Sequence, residues 1–566
     1  MHKVVPVKPP FVRLGFAPTQ YRFNKDIPAD RILPKILGIE TGMCLLWVRN
    51  PLTWLMISSY NTKYLTPCRD DAPNAVTEAS HTSSSRGLHS LVHVITESAS
   101  SCLNMLEALL TVAVFASTAF TTILLMLPSR YTKHSPPKVT ISGSVNEPKI
   151  SVQVLVLGDI GRSPRMQYHA MSIAKNGGRV DVIGYQESTL HPGLADNPLI
   201  TIVPIPLPPS LLRANTLPFI VAGPAKVLWQ IWSLFYTLGY RTKASRWLLV
   251  QNPPSIPTLF IAVTICFLRN THLIIDWHNY GWTILAGTRG EKHPFVTISK
   301  YYEALLGSWA PTASFTVTDA MQTQLRNAPY NVRSPILTLH DRPASIFQPI
   351  SQLNVRRAFL QRIPETSRHA EQIIAAKTKM LVSSTSWTPD EDFNLLLEAL
   401  CSYSASPKAL PPILAIITGK GPQKQTYLER IESLTKESRL KNVTIKTAWL
   451  SAEDYATLLA CADLGVCLHM SSSGVDLPMK VVDMFGAGLP VVGYGDYESW
   501  GELVKEGFNG RSFVRSAELA EILEELFGEE DGSQLARLKR GAMEEGSRRW
   551  DDEWDGVAGR LLGLCE

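Results

Sequence analysis

Three stretches of the sequence gather side chains that donate, accept or neutralise charge at short spacing. In Asp276-Trp277-His278-Asn279-Tyr280-Gly281 a carboxylate, an imidazole and two aromatics share one segment. An imidazole titrating near neutrality can take a proton from a hydroxyl nucleophile, with a packed core histidine as the plain alternative. The second stretch, Ile416 to Pro422, sets Gly419, Lys420 and Gly421 at the end of an apolar run. Small residues let backbone N–H groups approach an anion, and the ammonium is a point charge matched to a diphosphate, though Gly-Lys-Gly also makes an ordinary turn. Its spacing is not GxxxxGK[ST], which disfavours a nucleoside triphosphatase. The third runs from Ser471 to Pro490: a polar loop with Ser472, Ser473, Gly474 and Asp476, then a helix started by Pro478 that carries Lys480 and Asp483. A helix N-terminus offers unpaired N–H donors to phosphate, and a carboxylate a turn further on can hold ribose or sugar hydroxyls; a solvated helix face is the other reading of Asp483.

Weaker signals narrow the chemistry. Gly158-Asp159-Ile160-Gly161-Arg162-Ser163-Pro164 makes a loop where backbone approaches a ligand, but GxGxxG is absent, so an NAD enzyme loses ground. Asp390-Glu391-Asp392 has the form of a DxD metal motif, yet Thr388 to Glu391 also reads as a helix start with a capping-box glutamate, and capping is preferred. The eight cysteines form no CxxC pair and have no histidines at zinc spacing, so they read as reduced thiols.

The elements around these motifs alternate. Val152 to Asp159 is an apolar run of strand length, a helix signalled by Ser163-Pro164 follows, and Arg179 to Gly184 reads as the next strand, giving a βαβ unit. Trp247 to Asn252 and Leu273 to His278 repeat the rhythm. A second series comprises Met380 to Thr385, Ile413 to Gly419, Val443 to Lys446, Leu464 to His469 and Leu489 to Gly493. The pattern predicts an α/β protein with two Rossmann-like domains, in which polar residues at strand carboxyl ends bind the ligand. The domains are placed at 151–342 and 378–566, with 343–377 as an irregular interdomain connection and the last helix able to pack back on the first domain. Ile205 to Tyr240 and Thr258 to Leu268 are strongly apolar, and Trp229, Trp232, Phe235 and Tyr236 stand near Lys226 and Arg241. Such segments suit either a membrane interface or helices covering a sheet.

The chain has 566 residues, with 45% hydrophobic and 19% charged, which excludes a disordered tail or a disulfide-stapled module. A net charge of +5 is too small to indicate nucleic acid, and no nucleic-acid partner is expected. Ala108 to Leu127 carries no charge and predicts one transmembrane helix within an anchor at 103–130. Arg130, Lys133 and Lys138 follow it, so the positive-inside bias puts the C-terminal side in the cytosol, where the Asn442-Val443-Thr444 acceptor should be silent. Residues 131–150 read as a polar linker, and the leader 1–102 is assigned no function.

GDIGRSPRMQYHA from Gly158, LIIDWHNYG to Gly281, LVSSTSWTPDEDF from Leu381, ITGKGP and SSSGVDLPMKVVDMFG together resemble the chitobiosyldiphosphodolichol beta-mannosyltransferases across most of residues 150–555. The resemblance implies a GT-B fold with an interdomain cleft behind a single-pass anchor. It also implies transfer of mannose from GDP-mannose to the distal GlcNAc of GlcNAc2-diphosphodolichol at the cytosolic face of the endoplasmic reticulum, an early step of N-glycan assembly. Related glycosyltransferases often carry Glu-x7-Glu; here Asp483 takes the second place, the first falls on Val475, and Asp476 is offset by one. Asp483 is therefore assigned to the ribose ahead of Asp476. In the inverting displacement this implies, Lys420 and the Ser472–Gly474 loop stabilise the leaving GDP, His278 is the base and Asp159 its runner-up. Gly161 and Arg162 lie on the acceptor side, and no cofactor or metal is expected. Other mannosyltransferases of the pathway are candidate partners. The rivals are another nucleotide-sugar transferase and a catalytically silent membrane subunit.

Overall fold

A computed structural model describes residues 103–121, 139–141, 144–213, 219–529 and 531–566. The chain divides into two compact units, Met1–Glu97 and Ser98–Glu566, and everything below belongs to the second. The leader and the three basic residues after the anchor lie outside the described residues. Helix Leu103–Thr121 has 19 residues, is long and apolar enough to cross a membrane, and is exposed along its length. It starts earlier than the sequence suggested and takes in Glu107; residues 122–127 lie outside the description. The stretch read as a linker contains β1 (Val139–Ile141) and β2 (Ser144–Asn146), paired antiparallel, because Val139, Thr140 and Ile141 are strand-forming β-branched residues.

Two parallel sheets follow. The first contains β3 (Ser151–Asp159), β4 (Arg179–Tyr185), β5 (Ile200–Pro204), β6 (Trp247–Asn252), β7 (His272–Trp277), β8 (Ala313–Thr316) and β9 (Ile336–Thr338), in the order β5-β4-β3-β6-β7-β8-β9. The second contains β10 (Lys379–Ser384), β11 (Ile413–Thr418), β12 (Val443–Ala448), β13 (Leu464–Cys467), β14 (Val491–Tyr494) and β15 (Gly510–Phe513), in the order β12-β11-β10-β13-β14-β15. Both are near-continuous apolar runs with helices on both faces, as parallel sheets require. In each sheet the order reverses beside the first strand, between β3 and β6 and between β10 and β13. Loops at the carboxyl ends diverge at such a switch point and leave a crevice. All three chemistry-bearing stretches leave strands at or beside those two points.

One face of the first sheet is covered by helices Phe219–Tyr236, Thr258–Arg269 and Pro294–Trp309, through Leu234, Ile261, Ile265 and Ala304. The two strongly apolar segments thus do cover a sheet, while their outer sides keep aromatics in solvent. The other face is covered by helix Pro164–Lys175 and by the end of the chain, whose Trp550 and Trp554 join Val154, Leu249, Ile274 and Phe315. Trp550 Nε1 donates to Ser172 Oγ at 3.0 Å, and Lys175 pairs with Asp551 at 2.6 Å.

The connection expected to be irregular is helical over Leu353–Arg362, Pro364–Ser367 and Ala370–Ile374. Phe359, Leu360, Ile363 and Ile373 are buried against the second sheet's core, giving these short helices a packed side that composition did not reveal. Cys266, Cys401, Cys461, Cys467 and Cys565 are free thiols.

Candidate active site

The base end of the site is built on one buried carboxylate. Asp276, the penultimate residue of β7, is fully buried and receives Arg165 Nε and Nη2, each at 2.9 Å. It also meets His169 Nε2 at 3.2 Å and His278 Nε2 at 2.9 Å. Burial would raise its pKa, but Arg165 and the two imidazoles overcome this and hold the carboxyl well below the usual range. Trp554 Nε1 donates to His169 Nδ1 at 2.9 Å, so the proton of His169 sits on Nε2 and points at Asp276; burial lowers the pKa of this imidazole. His278 is only half-buried. With Nε2–H directed at Asp276, its Nδ1 carries the free lone pair, the arrangement in which a carboxylate fixes the tautomer of a basic imidazole.

The turn after His278 is held from beneath. Gly281 N–H donates to buried Glu303 Oε2 at 2.9 Å and the Tyr330 hydroxyl to Oε1 at 3.0 Å, and burial pushes the Glu303 carboxyl up to about 7. A Cβ at Gly281 would lie 2.9 Å from Glu303 Oε2, so that carboxyl packs directly on the glycine. From this turn Asn279 Nδ2 reaches Ser472 Oγ at 3.2 Å, and Thr283 Oγ1 reaches the same atom at 3.3 Å. The polar loop of the second half therefore touches the base-bearing segment of the first.

Asp159 serves the first half differently. Its Oδ1 accepts from the backbone N–H groups of Gly161, Glu187 and Ser188 at 3.3, 3.0 and 3.2 Å, and Arg162 lies 3.5 Å from Oδ2. The carboxyl is lowered, the bonds to Ser188 and Glu187 overcoming burial. Asp159 thus pins two loops together, while the Arg162 side chain extends into solvent. Gly161 is required for that closure, since a Cβ there would sit 2.7 Å from Thr189 O.

In the second half, Gly419 and Gly421 let the turn after β11 press against the turn after β10. A Cβ would stand 1.8 Å from Thr385 O at Gly419, which has φ +122°, and 1.8 Å from Ser386 O at Gly421. Lys420 is exposed, its Nζ 3.8 Å from the centroid of the Trp449 ring, so the ammonium rests on an aromatic face.

Glu391 is not a capping residue. Asp392 caps helix Phe393–Ala405 by accepting from Asn394 N–H at 3.0 Å, whereas Glu391 turns inward, almost fully buried. It accepts from Thr385 Oγ1 at 2.7 Å and Ser386 Oγ at 2.9 Å and forms an ion pair with Lys480. Burial would raise its carboxyl; Lys480 and these hydrogen bonds lower it. The charge of Lys480, at the start of helix Met479–Gly486, is thereby fixed beside the turn after β10.

Asp476 and Asp483 separate in role. Asp476 is buried and binds Ser471 Oγ, Ser473 Oγ at 3.2 Å and His469 Nε2 at 3.1 Å, so its carboxylate shapes the Ser loop. Burial acts to raise it and the His469 bond prevails, leaving it lowered. Asp483 is half-open, and no cation pairs with it among the described residues. Burial among its neighbours, then the negative charge of Asp341 across the cleft, push it up to about 8. A carboxyl so perturbed beside a cleft marks a candidate ligand-binding group.

The two halves are clamped beside the site. Glu502 accepts the N–H groups of Asp319 and Ala320, both at 2.8 Å, at the start of helix Asp319–Arg326. His340 lies 3.6 Å from Glu502 and 2.8 Å from Glu553. Burial would lower its imidazole, but the two carboxylates raise it to about 9. Asp319, His340 and Glu502 bring possible ligand atoms within 4.8 Å of one another. With Glu502 engaged by backbone donors and His340 protonated, they form an ion-pair clamp and a poor metal cage.

The site thus assembles His278, the Gly-Lys-Gly turn, the Ser loop, Lys480 and Asp483 around the carboxyl ends of both sheets, with Asp159 and Asp476 holding loops. Arg165, His169, Asp341 and Glu391 were not expected there. An Arg and His four residues apart in SPRMQYHA, on one face of a helix, were the local signal for the first two.

Comparison with known proteins follows the same outline. The profile of the family described as Glycosyl transferases group 1 matches residues 365–545. A protein of Arthroderma benhamiae named chitobiosyldiphosphodolichol beta-mannosyltransferase is 49% identical over 455 residues, covering 80% of this chain and 97% of its own. One of Mus musculus with the same name is 37% identical, covering 72% and 88%. A protein of Arabidopsis thaliana named UDP-glycosyltransferase TURAN is 39% identical, covering 72% and 96%. Among solved structures, sucrose-phosphate synthase from Thermosynechococcus elongatus has a TM-score of 0.52 at 14% identity, covering 73% of this chain and 97% of that one. Anabaena Alr3699/HepE in complex with UDP and glucose has 0.51 at 16%, covering 73% and 100%. At such identities the likeness shows the fold, which is GT-B.

Proposed function

The chain belongs to the chitobiosyldiphosphodolichol beta-mannosyltransferases, and from that premise we propose that it moves mannose from GDP-mannose to the distal GlcNAc of GlcNAc2-diphosphodolichol in a β-1,4 linkage. The observation that carries this reading is the contact between Ser472 and Asn279, which brings the anion-suited loop of one half against the base-bearing turn of the other.

The donor diphosphate lies over the Gly419–Gly421 turn and the Ser472–Gly474 loop, with Lys420 swinging off Trp449 to meet it and Lys480 beside it. Asp483 takes the ribose hydroxyls, its proton or its carboxylate supplying the complementary hydrogen bond. His278 Nδ1 receives the proton of the acceptor hydroxyl as that oxygen bonds to the anomeric carbon. The bond from that carbon to the β-phosphate oxygen breaks on the opposite face, and GDP leaves with the electron pair. The imidazolium so formed is stabilised by Asp276 through Nε2. Charge on the departing diphosphate is met by the lysines and backbone N–H groups, and the scheme needs no metal.

The apolar helix Leu103–Thr121 holds the enzyme at the bilayer that confines its acceptor, with the catalytic halves on the cytosolic side of the endoplasmic reticulum. The test is direct: purified chain, GDP-mannose and GlcNAc2-diphospholipid should yield a product with one added β-mannose. Transfer from a UDP-sugar instead, as the name of the plant relative suggests for that protein, would overturn the donor assignment.

A further inference from the structure

The helices over one face of the first sheet present a second apolar side to solvent. Trp232, Tyr236, Phe267, Ile298, Tyr301 and Trp309 are all exposed, Phe267 by 85% and Trp309 by 64%. They come from three neighbouring helices, Phe219–Tyr236, Thr258–Arg269 and Pro294–Trp309, and form one layer rather than scattered singles. On the first of these, Trp232 stacks on Tyr236 with ring centroids 5.4 Å apart. Soluble proteins seldom leave so extended an apolar surface bare.

Charge says what covers it. Residues 205–309 hold nine Lys or Arg and three Asp or Glu; Arg269 among the bases and Asp276 and Glu303 among the acids are buried. Among the described residues Glu291 is then the only acid this layer shows to solvent. Residues 378–566 are biased the other way, with 19 basic and 30 acidic. Lys300 lies with Nζ 4.4 Å from the centroid of the Trp282 ring, a cation held at an aromatic surface. Exposed Trp, Tyr and Phe interleaved with lysine and arginine are the composition of a bilayer interface, where rings sit at headgroup level and cations meet anionic lipid. A bilayer is also within reach. Residues 122–138, seventeen in number, join the apolar helix to β1 and span at most about 60 Å when extended.

We propose that this layer docks on the membrane that the apolar helix enters, its aromatics entering the headgroup region and its lysines and arginines meeting anionic lipid. The catalytic body is then oriented as well as tethered, and the first half, which carries His278, faces the lipid. The docking goes beyond the transfer reading and does not depend on it.

The experiment uses the full chain in vesicles of phosphatidylserine and brominated-acyl phosphatidylcholine. Tryptophan emission should be quenched, and the Trp232→Phe/Trp309→Phe variant should lose about half or more of that quenching. Quenching equal to wild type would overturn the proposal, whether the layer is then covered by the leader, by a second protein or by nothing. In the same vesicles, Phe267→Glu/Ile298→Glu should raise KM for a long-chain lipid acceptor about tenfold while leaving kcat/KM for a short water-soluble analogue unchanged. Equal loss on both acceptors also overturns it. A wild-type chain that mannosylates neither acceptor, yet is quenched as expected, would defeat the transfer reading and leave the docking standing.

Discussion

His278 Nε2 lies 2.9 Å from the same Asp276 oxygen that receives buried His169 Nε2 at 3.2 Å, so two imidazoles share one acceptor and only the outer one opens toward the cleft. The inner histidine, locked by Trp554, orients the carboxylate; the outer one is left to do chemistry. His278→Ala should lower kcat by about 10² to 10⁴ with GDP-mannose affinity unchanged. Single-turnover kinetics and donor titration check this. If the variant keeps its activity, His278 is not the base.

Lys420 is exposed and makes no ion pair among the described residues, so its removal should not disturb folding. Lys420→Ala should cut kcat about a hundredfold by withdrawing a charge from the departing diphosphate. The thermal midpoint should stay at its wild-type value. Turnover near wild type would remove Lys420 from the reaction.

Asp483 predicts a trade between stability and function. A carboxyl raised to about 8 by burial and Asp341 favours folding most below the ordinary aspartate range, and that contribution falls as pH rises toward 8. Asp483→Asn should therefore raise the unfolding midpoint at neutral pH while weakening GDP binding about tenfold or more, through loss of a hydrogen bond to the ribose. Calorimetric melting and titration with GDP measure the two effects. A variant that is destabilised and binds GDP normally would refute the assignment.

His340 makes the contact between the halves sensitive to alkali. Because its imidazole is raised to about 9, the stabilisation is complete below about pH 6.5 and is lost as pH rises through 9. Wild type should lose on the order of 2–3 kcal/mol over that window. His340→Gln should be less stable at pH 6 and show a flatter profile. Urea unfolding at several pH values reads this out, and parallel profiles for the two proteins would contradict it.

The central strands were legible because their signals are local. β6 spans Trp247–Asn252 as its apolar run suggests, and β3, β7, β10 and β11 differ by a residue at one or both ends. β5, β8, β9 and β15 escaped because they have three to five residues, and Gly-Arg-Ser-Phe or Ala-Ser-Phe-Thr carries no periodicity to find. The site divides along the same line. Gly419–Gly421 and Ser472–Gly474 stood out because neighbours in sequence do the work. Arg165 and Asp276 are 111 residues apart, and Glu391 and Lys480 are 89 apart, so their pairing is a product of the fold. Glu391 was misread because a carboxylate three residues after Thr388 fits a capping box on paper. The chain instead delays the helix to Phe393 and turns Glu391 into the protein.

The return of the chain's end to the first sheet bears on how the protein is made. Trp554 is fully buried against residues of that sheet and bonds to His169, about 385 positions earlier. A nascent polypeptide can therefore finish its second sheet while the first still lacks part of its cover. A stop at or before codon 550 would take both tryptophans out of the cluster that holds Phe315 and Ile274 and free His169 from its lock. Transcripts truncated there should yield a protein that is cleared rather than a slightly shorter enzyme.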